Sequence, residues 1–122
     1  MAAHNELGKK GELYAKDYLI AKGYKIRDLN WRSGHFELDI VAENDDLLVV
    51  VEVKTRRSNY FGRPEEAVNE AKIKRTIDAV HRYIHSHKLE TGARCDIISI
   101  LIRSENDYEI EHIEDAFRPS WR

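Results

Sequence analysis

Glu37, Asp39, Glu52 and Lys54 fall inside or beside the most apolar stretch of this chain, ELDIVAENDDLLVVVEVKT from Glu37 to Thr55. Leu47–Val53 has the aliphatic, β-branched composition of a strand covered on both faces. A lone ionised carboxylate buried there costs several kcal/mol, so these charges need a reason to be together. A divalent cation supplies one. Mg²⁺ takes oxygen ligands, and one or two carboxylates plus water and phosphate oxygens suit it. Lys54, one strand step past Glu52, would touch the same phosphate or the water attacking it. The chemistry suggested is metal-assisted phosphoryl hydrolysis.

That chemistry needs a hairpin to position it. Phe36–Ala42 and Leu47–Lys54 read as two strands joined by Glu43-Asn44-Asp45-Asp46. A two-residue turn at Asn44-Asp45 and a four-residue loop both place Glu37 opposite Glu52, with Asp39 on the diagonal. Alternate residues share a face, so Glu37, Asp39, Glu52 and Lys54 project the same way. Opposite Cβ atoms would lie about 5 Å apart and diagonal ones about 7 Å. A row of surface charges would also explain the pattern, but it predicts polar neighbours, and Leu48 and Val50 share the parity of Glu52. Glu12, at i−3 and i−7 from Ala15 and Leu19, leans toward the core, and Gly8 and Gly11 leave room for close approach.

The rest of the chain reads as αβββαββ, an α/β (α+β) domain with helices against a mixed sheet, taken as one domain over residues 1–122. A first helix starts near Asn5 and ends at Gly23. Tyr24–Trp31 is a strand followed by a Ser33-Gly34 turn. A second helix runs from Pro64 to about His87, with Ile73, Ile77, Val80 and Ile84 on one side and Gly92 as the breaker. RCDIISILI is a buried strand, and DYEIEHI alternates like an edge strand.

Composition narrows the function. Apolar residues make up 42% and charged ones 34%, as in a water-soluble globular protein. No stretch is long and apolar enough to span a bilayer, and the first ten residues lack a secretion-signal core. Cys95 is the lone cysteine, which excludes an internal disulfide and a cysteine-based zinc site and fits a reducing cytoplasm. The net charge of −2 is unevenly spread. Residues 54–75 hold seven Lys/Arg against three Glu, while residues 104–115 hold six acids and no Lys/Arg. The basic block beside the carboxylates predicts an anionic partner at that place, with Arg56, Arg57, Lys72, Lys74 and Arg75 on phosphate.

Asp39, twelve residues, then Glu52-Val53-Lys54 resembles the D…(D/E)xK signature of the restriction-endonuclease-like superfamily. More specifically, GKKGELYAKDYLIAKGYKIRDLNWR, ELDIVA, VVVEVKTR, FGRPEEAV and RCDII together resemble the bacterial YraN-like family of predicted endonucleases. The likeness covers nearly the whole chain. It implies a sheet flanked by helices, akin to archaeal Holliday-junction resolvases and the tRNA endonuclease domain. It also implies that Asp39, Glu52 and the Val53 carbonyl hold Mg²⁺ or Mn²⁺, and that Lys54 orients or activates water. By the same resemblance Glu12 and Glu37 hold the water or a second metal, and Lys72 approaches phosphate. One departure is Phe36, where the family usually has glycine.

Weaker signals fit around this. His81, His85 and His87 lie near the second helix's end, where dipole contacts are expected ahead of a zinc site. Trp31 is expected in the core, and Tyr60-Phe61 either in the core or stacked on unpaired bases. The function expected is a cytoplasmic nuclease acting on nucleic acid, DNA ahead of RNA, structured or branched. The alternatives are a non-catalytic nucleic-acid-binding module of the same fold, and a domain whose acidic stretch Glu105–Asp115 pairs with a partner protein or with itself as a homodimer.

Overall fold

A computed structural model describes residues 2–57 and 69–118, with side chains from Glu6 onward. The loop carrying Tyr60 and Phe61, and the expected helix start at Pro64, lie outside the described residues. The order is α1 (Ala2–Ala21), β1 (Lys25–Ser33), β2 (Phe36–Asn44), β3 (Leu47–Arg56), α2 (Glu70–Ser86), β4 (Ala93–Ser104) and β5 (Asp107–Phe117). The described strands form one mixed sheet in the order β1-β2-β3-β4-β5, in which β3 and β4 run parallel and the other neighbours antiparallel. The αβββαββ order read from the sequence is the one observed.

Local chemistry sets the ends of the helices. α1 stops in a Schellman turn, with the Tyr24 N–H donating to the Leu19 carbonyl at 2.9 Å and Gly23 at φ +94°. The helix already begins at Ala2, so Asn5 lies inside it. α2 opens on Asn69, whose side chain accepts from the Lys72 N–H at 2.9 Å. It closes at His87, followed by Lys88 at φ +54° and a Leu89 N–H to Ile84 carbonyl bond of 3.0 Å. Gly92 is therefore not the breaker. It lies in the loop, where its carbonyl accepts from Leu48.

The helices cover opposite faces. Ala15 and Leu19 of α1 pack with Ile40, Val49, Val51, Ile98 and Ile100. Ala79, Val80 and Tyr83 of α2 pack with Leu38, Val41, Leu48, Val50 and Cys95. Trp31 joins this second layer, edge-on to Tyr83. Alternation along β3 thus sends Val49 and Val51 one way and Leu48 and Val50 the other, the two-faced burial its composition predicts.

The β2–β3 register differs from the expected one by two residues. Asn44 pairs with Leu47 and Ile40 with Val51, so Asp45-Asp46 is the turn, at φ +51° and +65°. Asn and Asp all tolerate the left-handed region, so composition does not choose among the three positions. A shift of two preserves faces. It changes partners: continued one step past Ile40–Val51, it brings Asp39, and not Glu37, toward Glu52.

Alternation also breaks at Asp39. Leu38 packs in the α2 layer and Ile40 in the α1 layer, with Asn30 at φ +53° in the facing part of β1. The β2–β3 ladder ends at Ile40–Val51, and beyond it the strands part.

Candidate functional site

Where the ladder ends, a side chain replaces the backbone. The Val53 N–H donates to Asp39 Oδ2 at 2.9 Å. This bond fixes Asp39 beside β3, facing Glu52. On the other side of Glu52, Lys72 Nζ from the first turn of α2 lies 2.8 Å from Glu52 Oε1. Glu52 is 18% exposed and Lys72 38%. Asp39, Glu52, Lys72, Arg75 and Thr76 line a cleft of about 250 Å³ with His35, Phe36 and Glu37.

The electrostatics are crowded. Burial raises the Asp39 carboxyl, and the Glu52 charge raises it further. The Val53 N–H opposes this, Glu12 adds to it and Lys72 offsets part, leaving Asp39 up to about 7 from an ordinary 3.8. The Lys72 ammonium is held above its usual range. Burial works against its charge, but the bond to Glu52 and the charges of Glu52 and Asp39 outweigh it.

Glu12 acts at a distance through α1, and Gly11 is what lets α1 come so close. A Cβ on Gly11 would meet Thr55 Oγ1 at 1.8 Å. Gly8 has open space around it and no such role.

Other expected residues lie further out. Glu37 lines the cleft but is 60% exposed and pairs with Arg32 at 3.4 Å. Lys54 is exposed and is not among the cleft residues. Arg56 lies in a separate depression with Ser99, Glu109 and Glu111. Arg57 is exposed, and Lys74 bonds Asp78 along α2 at 3.2 Å. Of the five expected phosphate contacts, Lys72 and Arg75 are at the cleft.

Sequence reasoning missed Thr76, a buried hydroxyl residue on the α2 face, and the cation over Phe36, where the Arg82 guanidinium lies 4.9 Å from the ring centroid. Thr76 is four residues past Lys72, a helical spacing that pointed to it. Nothing in the spacing pointed to Arg82. His87 does make the expected contact at the end of α2, with its Nδ1 2.9 Å from the Tyr83 carbonyl. Cys95 is buried, and burial pushes its thiol up to about 12, so it is a core residue and not a nucleophile.

Among the described residues no three His, Cys, Asp or Glu side chains converge into a metal cage. Mg²⁺ does not require one. Two crowded carboxylates beside an open cleft meet its preference for one or two protein oxygens, with water and phosphate supplying the rest. Asp39 and Glu52 fit that donor set.

No helix among the described residues is long and apolar enough to cross a membrane. Comparison with known proteins gives the same family throughout. Residues 11–100 match the model of the Uncharacterised protein family UPF0102. A UPF0102 protein of Bacteroides thetaiotaomicron is 51% identical over 119 residues, 98% of each chain. One from Phocaeicola vulgatus is 50% identical over the same share, and one from Flavobacterium psychrophilum is 44% identical over 117 residues, 96% of this chain and 98% of its own. The chain belongs to UPF0102, the YraN-like family, whose fold is restriction-endonuclease-like.

Proposed function

We propose that the chain is a metal-dependent endonuclease that hydrolyses phosphodiester bonds in nucleic acid, with structured or branched DNA as the substrate class. The observation that carries this reading is the facing pair Asp39–Glu52 in a cleft whose α2 wall is cationic. Asp39 and Glu52, with the Val53 carbonyl, would hold Mg²⁺ or Mn²⁺. When bound, such an ion supplies a Lewis acid for the phosphoryl group and lowers the pKa of water.

The chain's own residues do the rest. The Val53 N–H and the end of the ladder hold Asp39 in place. Arg75 and Lys72 meet phosphate oxygens from the helix side. Lys54, exposed past Glu52, reaches in from solvent to stabilise charge developing on the phosphoryl group. Arg56, Arg57 and Lys74 contribute longer-range attraction, and Glu12 and Glu37 hold water at the rim. The buried, lone Cys95 is in keeping with a reducing cytoplasm.

A cleavage screen of branched, flapped, single-stranded and duplex DNA with Mg²⁺ and Mn²⁺ tests the proposal. Lys54→Ala is expected to fold and bind Mn²⁺ like the parent while losing most cleavage. Undiminished cleavage by that variant removes Lys54 from the chemistry. One observation favours the second reading, a non-catalytic nucleic-acid-binding module: Lys54 lies outside the cleft. Salt-dependent binding with no cleavage of any substrate would decide for it.

A further inference from the structure

Lys72 and a metal ion would draw on the same carboxylate. Lys72 Nζ lies 2.8 Å from Glu52 Oε1, and Glu52 is one of two carboxylates that a divalent cation could use here. An ammonium and a divalent ion on one carboxylate repel strongly in a half-buried cleft. That repulsion favours a site that holds one of them at a time.

The geometry lets the ammonium leave without disturbing the fold. The Lys72 backbone is pinned, its N–H capped by Asn69 Oδ1 at 2.9 Å. The side chain beyond it is a flexible four-carbon stem, 38% exposed, with a compact charged head. Arg75 lies one turn on and lines the same cleft. A phosphate entering between Lys72 and Arg75 would meet two cations from one helix face.

We propose that Lys72 is an exchangeable counter-cation. It neutralises the Asp39–Glu52 pair when the site holds no metal, and it moves from Glu52 to a substrate phosphate when a divalent ion takes its place. Metal-free protein is thereby kept from facing two bare carboxylates, and metal entry releases a phosphate-binding group. This rests on the nuclease reading above.

The test is Mn²⁺ binding in the absence of nucleic acid, followed by the paramagnetic resonance signal of free Mn²⁺, for the parent, Lys72→Met, Lys72→Gln and Asp39→Asn. Removing a competitor tightens binding, so both Lys72 variants are expected to bind Mn²⁺ at least about fivefold more tightly than the parent. Their metal-free melting temperatures are expected to fall and to recover with Mn²⁺. With Ca²⁺ in place of Mn²⁺, their affinity for a branched DNA is expected to drop several-fold. Equal or weaker Mn²⁺ binding by both variants, with binding by the parent still abolished in Asp39→Asn, overturns the exchange alone. Mn²⁺ binding that is undetectable in the parent, or unaffected by Asp39→Asn, overturns the exchange and the nuclease reading together.

Discussion

Asp39 and Asp96 are two carboxylates set into the middle of one sheet, and their surroundings drive them in opposite directions. Asp39 receives one backbone N–H and faces a second carboxylate, and it is pushed up to about 7. Asp96 is fully buried. Burial alone would raise it too, but His112, Arg94 and the Asp115 N–H outweigh that and hold it below the usual range. Arg94 grips both Asp96 oxygens at 2.9 and 2.8 Å, His112 Nε2 lies 2.7 Å away and the Asp115 N–H 2.9 Å away. Depth therefore does not decide the shift; donors do. Asp96 is saturated by its own chain and has nothing left to offer a ligand. Asp39 has one backbone N–H and Glu52 one ammonium, so the pair keeps oxygen lone pairs for a ligand.

The largest effect expected of any single change tests the saturated side. Asp96→Asn takes the buried counter-charge from Arg94 and a charged acceptor from His112, so about 3–5 kcal/mol of stability should be lost. Denaturant unfolding measures it. A loss below about 1 kcal/mol would show that the network is dispensable and the contrast false.

Next comes the pH dependence of the metal-free protein. Asp39 binds its proton more tightly folded, at about 7, than unfolded, at about 4. Between those values the folded chain carries the extra proton, so stability contributed by Asp39 is full below about pH 4 and is lost as pH rises toward 7. Asp39→Asn should remove that fall, leaving the variant as stable as the parent near pH 4 and more stable by up to about 4 kcal/mol near pH 8. Asp96 has the opposite sign: its contribution is present above the ordinary carboxylate range and lost as pH falls through its lowered value. A parent and an Asp39→Asn variant with parallel melting-temperature profiles from pH 4 to 8 would remove the crowding from the argument.

The smallest effect sharpens the saturated network. Tyr18 Oη lies 3.3 Å from His112 Nδ1 and accepts from Lys22 Nζ at 3.2 Å, so the chain Lys22, Tyr18, His112, Asp96 is continuous when Nε2 carries the imidazole proton. Tyr18→Phe should cost about 1 kcal/mol. An unchanged unfolding midpoint would place Tyr18 outside the network.

The sequence made these two regions unequally legible. Strand alternation alone put Asp39 and Glu52 on one face, because that conclusion tolerates a two-residue register error. Which of Glu37 and Asp39 faces Glu52 depended on whether Asn44, Asp45 or Asp46 carries the turn, and three residues of one conformational habit do not say. Lys72 reaches Glu52 only because β3 and β4 are parallel and α2 crosses between them, a matter of topology. Asp96 was missed for a related reason. Arg94 is two residues away, but Tyr24, His112 and Asp115 come from two other segments, and Asp115 enters at φ +53° where β5 slips register against β4. Nothing local announces that meeting. An aspartate inside RCDIISILI was nonetheless the same anomaly as Glu52 inside LLVVVEV.

β5 has consequences beyond the fold it closes. Among the described residues it pairs only with β4, so its outer row of N–H and C=O groups could template another chain. Asp107, Glu109, Glu111, Glu114 and Asp115 all stand exposed along it, with Arg103 and Arg118 neutralising some of them. Two such edges brought together would align acid against acid and repel. This guard depends on ionisation and on low screening, so it weakens below about pH 4 and at molar salt, where the Debye length shrinks to about 3 Å. Handling the protein under those conditions exposes a sheet edge primed for aggregation.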